Sequence, residues 1–121
     1  MHRLHDAEIL GLEHEDEDDR LVVTLRTDAG QRCVMVFTDV VDWDLSPFAT
    51  QNVVLDFYTY DQTTLSEHIL SFFEVDESSG ARVYSGEMRL YCYVASVGME
   101  GFVLAKELTI DGEPYPPTGA L

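Results

Sequence analysis

The stretch from residue 20 to residue 41 constrains the fold most, because apolar residues alternate on both sides of a turn sequence. A three-residue loop, Asp28-Ala29-Gly30, with Gly30 in the left-handed region makes Thr27 face Gln31. A two-residue Ala-Gly loop would bring Leu25 opposite Val34, and alanine is disfavoured where such a turn needs positive φ. The pattern therefore predicts a β-hairpin with three buried pairs: Leu25 with Cys33, Val23 with Met35, and Leu21 with Phe37.

Charge is the most unusual property of the composition. The 121 residues are 45% hydrophobic, as in ordinary globular domains, but 23 Asp and Glu outnumber 7 Lys and Arg, for a net charge of −16. Such a surface repels phosphate backbones and anionic lipid, so nucleic acid and membrane surfaces are excluded as partners. The expected partner is a basic protein, and self-association into a homo-oligomer is left open.

The N-terminal segment has no apolar core of signal-peptide length and no run approaches a membrane span, which indicates a cytoplasmic protein. Cys33 and Cys92 lie far apart in apolar strand patterns, without CxxC or His-Cys spacing. Two buried free thiols are expected, and no cofactor is predicted.

The rest of the chain predicts further strands over residues 5–14, 52–60, 88–96 and 101–110. In residues 52–60, alternation assigns Val53, Leu55 and Phe57 to one face. In residues 88–96 it assigns Leu90 and Cys92 to the core and the intervening tyrosines to the outer face. Strict alternation in the last strand would bury Lys106, so a β-bulge near Lys106 and Glu107 is expected.

Thr64 and Glu67 have capping-box spacing and precede apolar residues at helical intervals, which predicts one short helix over residues 64–74. Residues 76–86 have loop composition. The predicted fold class is mainly β (α+β), an antiparallel sheet of about six strands, curled or two-layered, with that helix on an open face. Residues 1–112 would form a single β-rich domain, and 113–121 an extended or disordered tail unable to pair as a sheet.

The group Asp39, Asp42, Trp43 and Asp44 is the first interface candidate, because tryptophan is the residue most enriched at interface centres. Two other interpretations are open: a metal or ligand site, or a strand end where a half-buried aromatic lid lies among solvated acids.

Two further groups raise the possibility of a metal. His2, His5 and Asp6, with Glu8 beyond, suggest metal binding or acid–base chemistry, whereas His5 and Asp6 could instead bond to backbone and fix the first strand. The acidic turn, residues 15–19, lacks the glycine and glutamate that an EF-hand loop requires, so a solvated turn is favoured. No catalytic residue and no resident metal are predicted.

Four short motifs carry a family resemblance: Leu4-His5-Asp6-Ala7, Phe37-Thr38-Asp39-Val40, Gln51-Asn52-Val53-Val54-Leu55-Asp56 and Ser96-Val97-Gly98-Met99-Glu100-Gly101. With them the chain, from His5 to about Ile110, resembles a family of small uncharacterised bacterial proteins, some of whose relatives are similar to immunity proteins of polymorphic toxin systems. The resemblance implies an immunity-like inhibitor and no catalytic residues.

The sequence thus leaves three interpretations of function. The first is an acidic protein-binding module that acts by occlusion as an immunity-like inhibitor of a basic partner. The second is a small metal-assisted enzyme that uses the His5-Asp6 end. In the third, the acidity only reflects a salt-rich cytoplasm.

Overall fold

The computed structural model describes residues 4–116, and within that range the chain forms one antiparallel sheet of nine strands with two short helices. The strands are β1 Glu8–Glu15, β2 Arg20–Arg26, β3 Arg32–Thr38, β4 Asp42–Ser46, β5 Val53–Tyr60, β6 Arg89–Val97, β7 Glu100–Ala105, β8 Glu107–Ile110 and β9 Glu113–Tyr115. The helices are α1 Glu67–Phe72 and α2 Glu77–Tyr84. The predicted mainly β, antiparallel character is confirmed. The strands outnumber the predicted six because residues 42–46 and 113–115 also pair and the last long strand is divided.

Buried residues from β1 to β8 share one main core. The strand order of the sheet is β4-β7-β6-β5-β1-β2-β3-β8-β9, so β7 and β8 stand far apart in the order although only Lys106 separates them in the chain. Two backbone hydrogen bonds join the region between β3 and β4 to the region between β7 and β8. Lys106 N donates to Thr38 O at 3.1 Å, and Val41 N donates to Leu104 O at 2.9 Å.

The β2–β3 hairpin has the predicted register. Leu25 pairs with Cys33, Val23 with Met35 and Leu21 with Phe37, and all six side chains are buried. Gly30 has a φ of +85° and its N–H donates to Thr27 O at 2.8 Å, which is the turn that the three-residue loop requires. The predicted alternation therefore places one whole face of the hairpin in the main core.

Strand β6 is buried on both faces, which corrects the expectation of one outer face. Tyr91 and Tyr93 lie in the main core, whereas Leu90 and Cys92 lie in a second cluster with residues from the two helices. The reason is tertiary: α1 and α2 cover the outer face of β6 and β7, so apolar residues occur at consecutive positions.

Strict alternation in β5 is also wrong. Register shifts lie between Val53 and Val54 and between Val54 and Asp56, so Val54 is buried while Leu55 is 40% exposed. The irregularity moves Val54 to the core face and leaves Phe57 packed against the main core.

The helical region differs from the prediction in two ways. Helix α1 begins after Ser66, whose side chain accepts a hydrogen bond from Ile69 N, rather than at Thr64. Residues 77–84, expected as loop, form α2, because Asp76 caps the helix by accepting from Ser79 N at 2.8 Å. Burial of Val83 against the second cluster supplies the packing that the loop-like composition conceals.

The structure has a strand break where a β-bulge was predicted: Lys106 is exposed between β7 and β8, which pair with different strands. Val103 and Ala105 before it, and Leu108 and Ile110 after it, all enter the main core. A break of one residue thus lets both segments bury apolar side chains in the main core while the lysine stays in water.

The expectation that residue 113 onward cannot pair is wrong. Glu113–Tyr115 forms β9 against β8, with Leu108 opposite Tyr115 and Thr109 opposite Pro114. Proline is tolerated because β9 is an edge strand and its other edge needs no N–H donor. The remainder of the predicted tail, residues 117–121, lies outside the described residues.

Candidate functional site

Two acidic segments meet at one end of the sheet, and we call residues 15–19 and 39–44 the acidic end. Val40 N donates to Asp19 O at 2.8 Å, which joins the β1–β2 turn to the junction between β3 and β4. Asp19 and Asp39 have φ values of +49° and +51°, a conformation that aspartate tolerates better than most residues. The turn predicted from the acidic run is therefore present, and it lies beside the predicted interface residues.

Half of the eight carboxylates of the acidic end are exposed and have no local partner. Glu15 pairs with Arg20 at 2.8 Å and Asp16 lies 3.0 Å from His14. Four exposed acids have no ion pair or side-chain hydrogen bond within the described residues: Glu17, Asp18, Asp19 and Asp39. Their charges are held close together without local compensation.

Trp43 lies on the core face of β4. It pairs with Val103 of the main core, is half-buried against that core, and contacts the His14 ring edge-on at a centroid distance of 5.8 Å. Asp42 and Asp44 pair with Leu104 and Phe102, so they lie on the opposite face of the strand. The structure thus brings Asp39 to the acidic turn. Trp43 covers part of the core, and Asp42 and Asp44 lie on the other face of β4.

The exposed apolar residue at this end is Val41, which is 43% accessible. It follows the segment that carries Asp39 and precedes β4, so it lies among the carboxylates rather than in the core. Sequence alternation did not mark it, because it stands in the irregular junction between two strands.

His5 and Asp6 contact the backbone of β5. His5 Nδ1 lies 2.6 Å from Leu55 O, Asp6 N donates to Val54 O at 2.7 Å, and His5 Nε2 is 3.5 Å from the Asp6 carboxylate. Glu8, the fourth residue of the predicted group, pairs with Arg26 at 2.7 Å. These contacts match the anchoring role for the start of β1; His2 lies outside the described residues.

No group of three or more His, Cys, Asp or Glu residues between positions 4 and 116 is arranged to hold a metal ion. Cys33 and Cys92 are free and buried, as expected from their apolar strand patterns. Burial, with a smaller contribution from the Asp111 charge, raises the pKa of the Cys33 thiol to about 11, and burial also raises the pKa of Cys92. Both thiols are therefore poor nucleophiles.

A cleft of about 940 Å³ lies between the adjoining ends of β5 and β6 and the β8–β9 hairpin. Its polar lining includes Thr59, Arg89, Lys106 and Glu107, and Tyr58 and Tyr115 contribute aromatic surface. Sequence reasoning missed the cleft, because it lies between two strand pairs, β5–β6 and β8–β9, that are not neighbours in the sheet. The one available signal was Lys106, the chain's single lysine, at the predicted bulge.

Two buried hydroxyls adjoin this cleft. Thr59 Oγ1 and Tyr91 Oη have no hydrogen-bond partner in the described part of the chain, and the two residues are directly paired across β5 and β6. Burial raises the pKa of the Tyr91 hydroxyl, and the nearby Arg89 charge opposes that rise without meeting hydrogen-bond geometry. Each unsatisfied buried hydroxyl costs about 1–3 kcal/mol.

No protein-family model matches the chain, and neither the curated proteins nor the solved structures contain a match. Between residues 4 and 116, no helix has the length and apolar character needed to cross a membrane.

Proposed function

We propose that the protein is an acidic protein-binding module that acts in the cytoplasm as an immunity-like inhibitor, covering the surface of a basic partner. The observation that carries this proposal is the acidic end, where Glu17, Asp18, Asp19 and Asp39 are exposed and uncommitted. The resemblance of the four sequence motifs to immunity-like relatives points to the same class.

The uncompensated negative charge of the protein attracts a cationic surface at a distance. A net charge of −16 gives a field that extends over about a Debye length, roughly 8 Å at physiological salt. Carboxylates without local partners contribute most to that field, because an ion pair largely cancels its own charges. They steer a cationic surface toward the acidic end and accelerate encounter by about 10- to 1,000-fold at low salt.

The contact surface itself needs apolar area as well as charge. Val41 offers an exposed apolar side chain at the acidic end, and the accessible part of Trp43 adds aromatic surface beside His14. An apolar centre surrounded by charged residues is the usual anatomy of a protein interface. We therefore keep Trp43 as the proposed anchor, with Val41 as its neighbour.

The metal-assisted enzyme has weaker support. His5 and Asp6 make their short contacts with the backbone of β5, and Glu8 is engaged by Arg26. These contacts favour a structural role for the group that the enzyme hypothesis would use.

The test is association kinetics with the protein encoded by the neighbouring gene, measured across ionic strength. We compare the wild type with E17Q/D18N/D19N/D39N, which removes the uncommitted charges of the acidic end. The matched control, D28N/E67Q/E74Q/E113Q, removes the same number of exposed charges elsewhere.

We expect the acidic-end variant to associate about tenfold more slowly at low salt, with a dissociation rate close to that of the wild type. The control should retain most of the wild-type rate. Absence of binding, an association rate indifferent to salt, or an equal loss in both variants would overturn the proposal. Retained affinity in Trp43→Phe and in Val41→Ser would remove these two residues as the anchor.

A further inference from the structure

We propose that the cleft between β5, β6 and the β8–β9 hairpin binds a small organic oxyanion, a carboxylate or a phosphate group, through Arg89 and Lys106. This site is separate from the acidic end and uses none of its residues. Three observations support the proposal: these two cations have no ion pair in the described residues, both line the cleft, and two buried hydroxyls without partners adjoin it.

Cations are scarce in this protein, and most have a partner. Of the 7 Lys and Arg, three form ion pairs with glutamates: Arg20, Arg26 and Arg82. Arg3 lies outside the described residues. The other three, Arg32, Arg89 and Lys106, have no ion pair within residues 4–116, and two of them line the same cleft.

The cleft exists because the sheet changes partners at Lys106. Before this residue, β7 pairs with β6 up to Arg89 opposite Ala105, and after it β8 pairs with β9 instead. The end of β6 and the end of β9 do not pair with each other, so the cleft opens between them. Arg89 and Lys106 both stand at that discontinuity, because Arg89 pairs with Ala105, the residue before Lys106.

Two acids of the lining are already committed. The Asp61 carboxylate accepts hydrogen bonds from the backbone and side chains of Thr63 and Thr64, and the side chain of Glu87 holds Arg82 in a two-point contact at 2.9 and 3.2 Å. The donors to Asp61 are neutral, so its charge persists, and Glu107 is the lining carboxylate that opposes an anion without any such partner. Its neutralisation is therefore expected to strengthen binding, which makes it a useful reporter.

Polar groups without partners lie directly behind Arg89. Tyr91 is two residues along β6 on the same face, and Thr59 is opposite it on β5. The oxygens of both hydroxyls are buried and unsatisfied in the described structure. An oxyanion that reaches these hydroxyls accepts their hydrogen bonds, which adds to the attraction of the two cations.

The rest of the lining favours a ligand with a flat apolar part. Tyr58, Tyr115 and Pro114 contribute ring surfaces to the walls, and Tyr115 also contacts Phe57 at a centroid distance of 5.9 Å. Aromatic walls with a few polar groups are the usual composition of small-molecule sites. An aromatic oxyanion therefore fits the cleft better than a free inorganic ion.

The experiment uses the full chain and calorimetric titration with phenyl phosphate, benzoate, inorganic phosphate and neutral phenol. We expect at least one aromatic anion to bind more tightly than inorganic phosphate and phenol; a preference for phenyl phosphate or for benzoate identifies the group recognised. Arg89→Gln and Lys106→Gln should each weaken binding about tenfold. Glu107→Gln should strengthen it.

Arg32→Gln is the matched control, because Arg32 is exposed and unpaired but does not line the cleft. Its affinity should equal that of the wild type. Binding equally weakened in Arg32→Gln indicates nonspecific charge attraction, phenol bound as tightly as the anions indicates an apolar cleft only, and no binding indicates a solvent-filled cleft. Each of these three results overturns the proposal, and thermal melts of the exposed-residue variants verify that the fold is intact.

Discussion

Substitution of Gly101 in β7 by alanine should displace the neighbouring strand β4. Gly101 lies opposite Leu45 of β4, has a φ of +142°, and a Cβ atom there would overlap the carbonyl oxygen of Asp44. The atom in the way belongs to the backbone, so no side-chain rotation relieves the overlap. Gly101→Ala must therefore displace β4.

The expected cost has two parts. Backbone strain at positive φ costs about 1–2 kcal/mol for a residue with a Cβ. Displacement of β4 also exposes Leu45, which is 6% accessible in the fold and whose burial contributes about 1.5–3 kcal/mol. The total is about 3–5 kcal/mol, a large share of the roughly 5–15 kcal/mol typical of a domain.

Two glycines separate the contributions. Gly112 has a φ of +84° but open space around its Cβ position, so Gly112→Ala should cost only the strain, about 1–2 kcal/mol. Gly11 has open space and no positive φ, so Gly11→Ala should be neutral or stabilise the fold by about 0.4–1 kcal/mol.

Urea unfolding followed by far-ultraviolet circular dichroism gives the global stability, and the fluorescence of Trp43, the chain's single tryptophan, reports on β4 itself. We expect Gly101→Ala to show red-shifted emission before urea is added. If its stability loss equals that of Gly112→Ala and its emission is unchanged, the overlap with Asp44 does not control β4.

Three further outcomes are expected. Met35→Ala should lose about 2–5 kcal/mol in urea unfolding, whereas Val34→Ala, at a 37% exposed position on the other face, should stay within about 0.5 kcal/mol; equal losses would contradict the hairpin register. Because burial raises the pKa of Cys33 to about 11, its thiol should resist iodoacetamide at about pH 8 until urea is added, as mass spectrometry would show. The hydrogen bond from the backbone N–H of Ser79 lowers the pKa of Asp76 below 3.8. Ionised Asp76 therefore stabilises the fold above that pH, and this contribution is lost as pH falls through the lowered pKa. The melting midpoints of wild type and Asp76→Asn should converge in acid, and a constant difference between them would refute the charge effect.

Local patterns predicted those parts of the fold that depend on neighbouring residues. The β2–β3 register followed from alternation and the conformational freedom of Gly30, and the break at Lys106 followed from the cost of burying an ammonium group. The segments predicted wrongly, α2 and β9, depend on distant surfaces that cover Val83 and Tyr115.

The candidate site was predictable only as a list of acids. The sequence pointed to Asp39 and Trp43, but the hydrogen bond from Val40 to Asp19, which brings the acidic turn beside them, joins segments from two separate hairpins. The inward direction of Trp43 was available from alternation with Leu45, which is buried on the same face. The cleft had only Lys106 as a signal, because Arg89 and Lys106 come together only through the change of strand partners.

The pairing of β3 with β8 determines when, during synthesis, the edge of β3 is protected from aggregation. As the chain leaves the ribosome, the β2–β3 hairpin can form early, yet Met35 and Phe37 lack their partners Ile110 and Leu108 until a much later part of the chain is synthesised. Until then β3 presents a bare, apolar edge to other nascent chains. Refolding yield should therefore fall as protein concentration rises, and a chain truncated before β8 should form intermolecular β-structure rather than a smaller soluble fold.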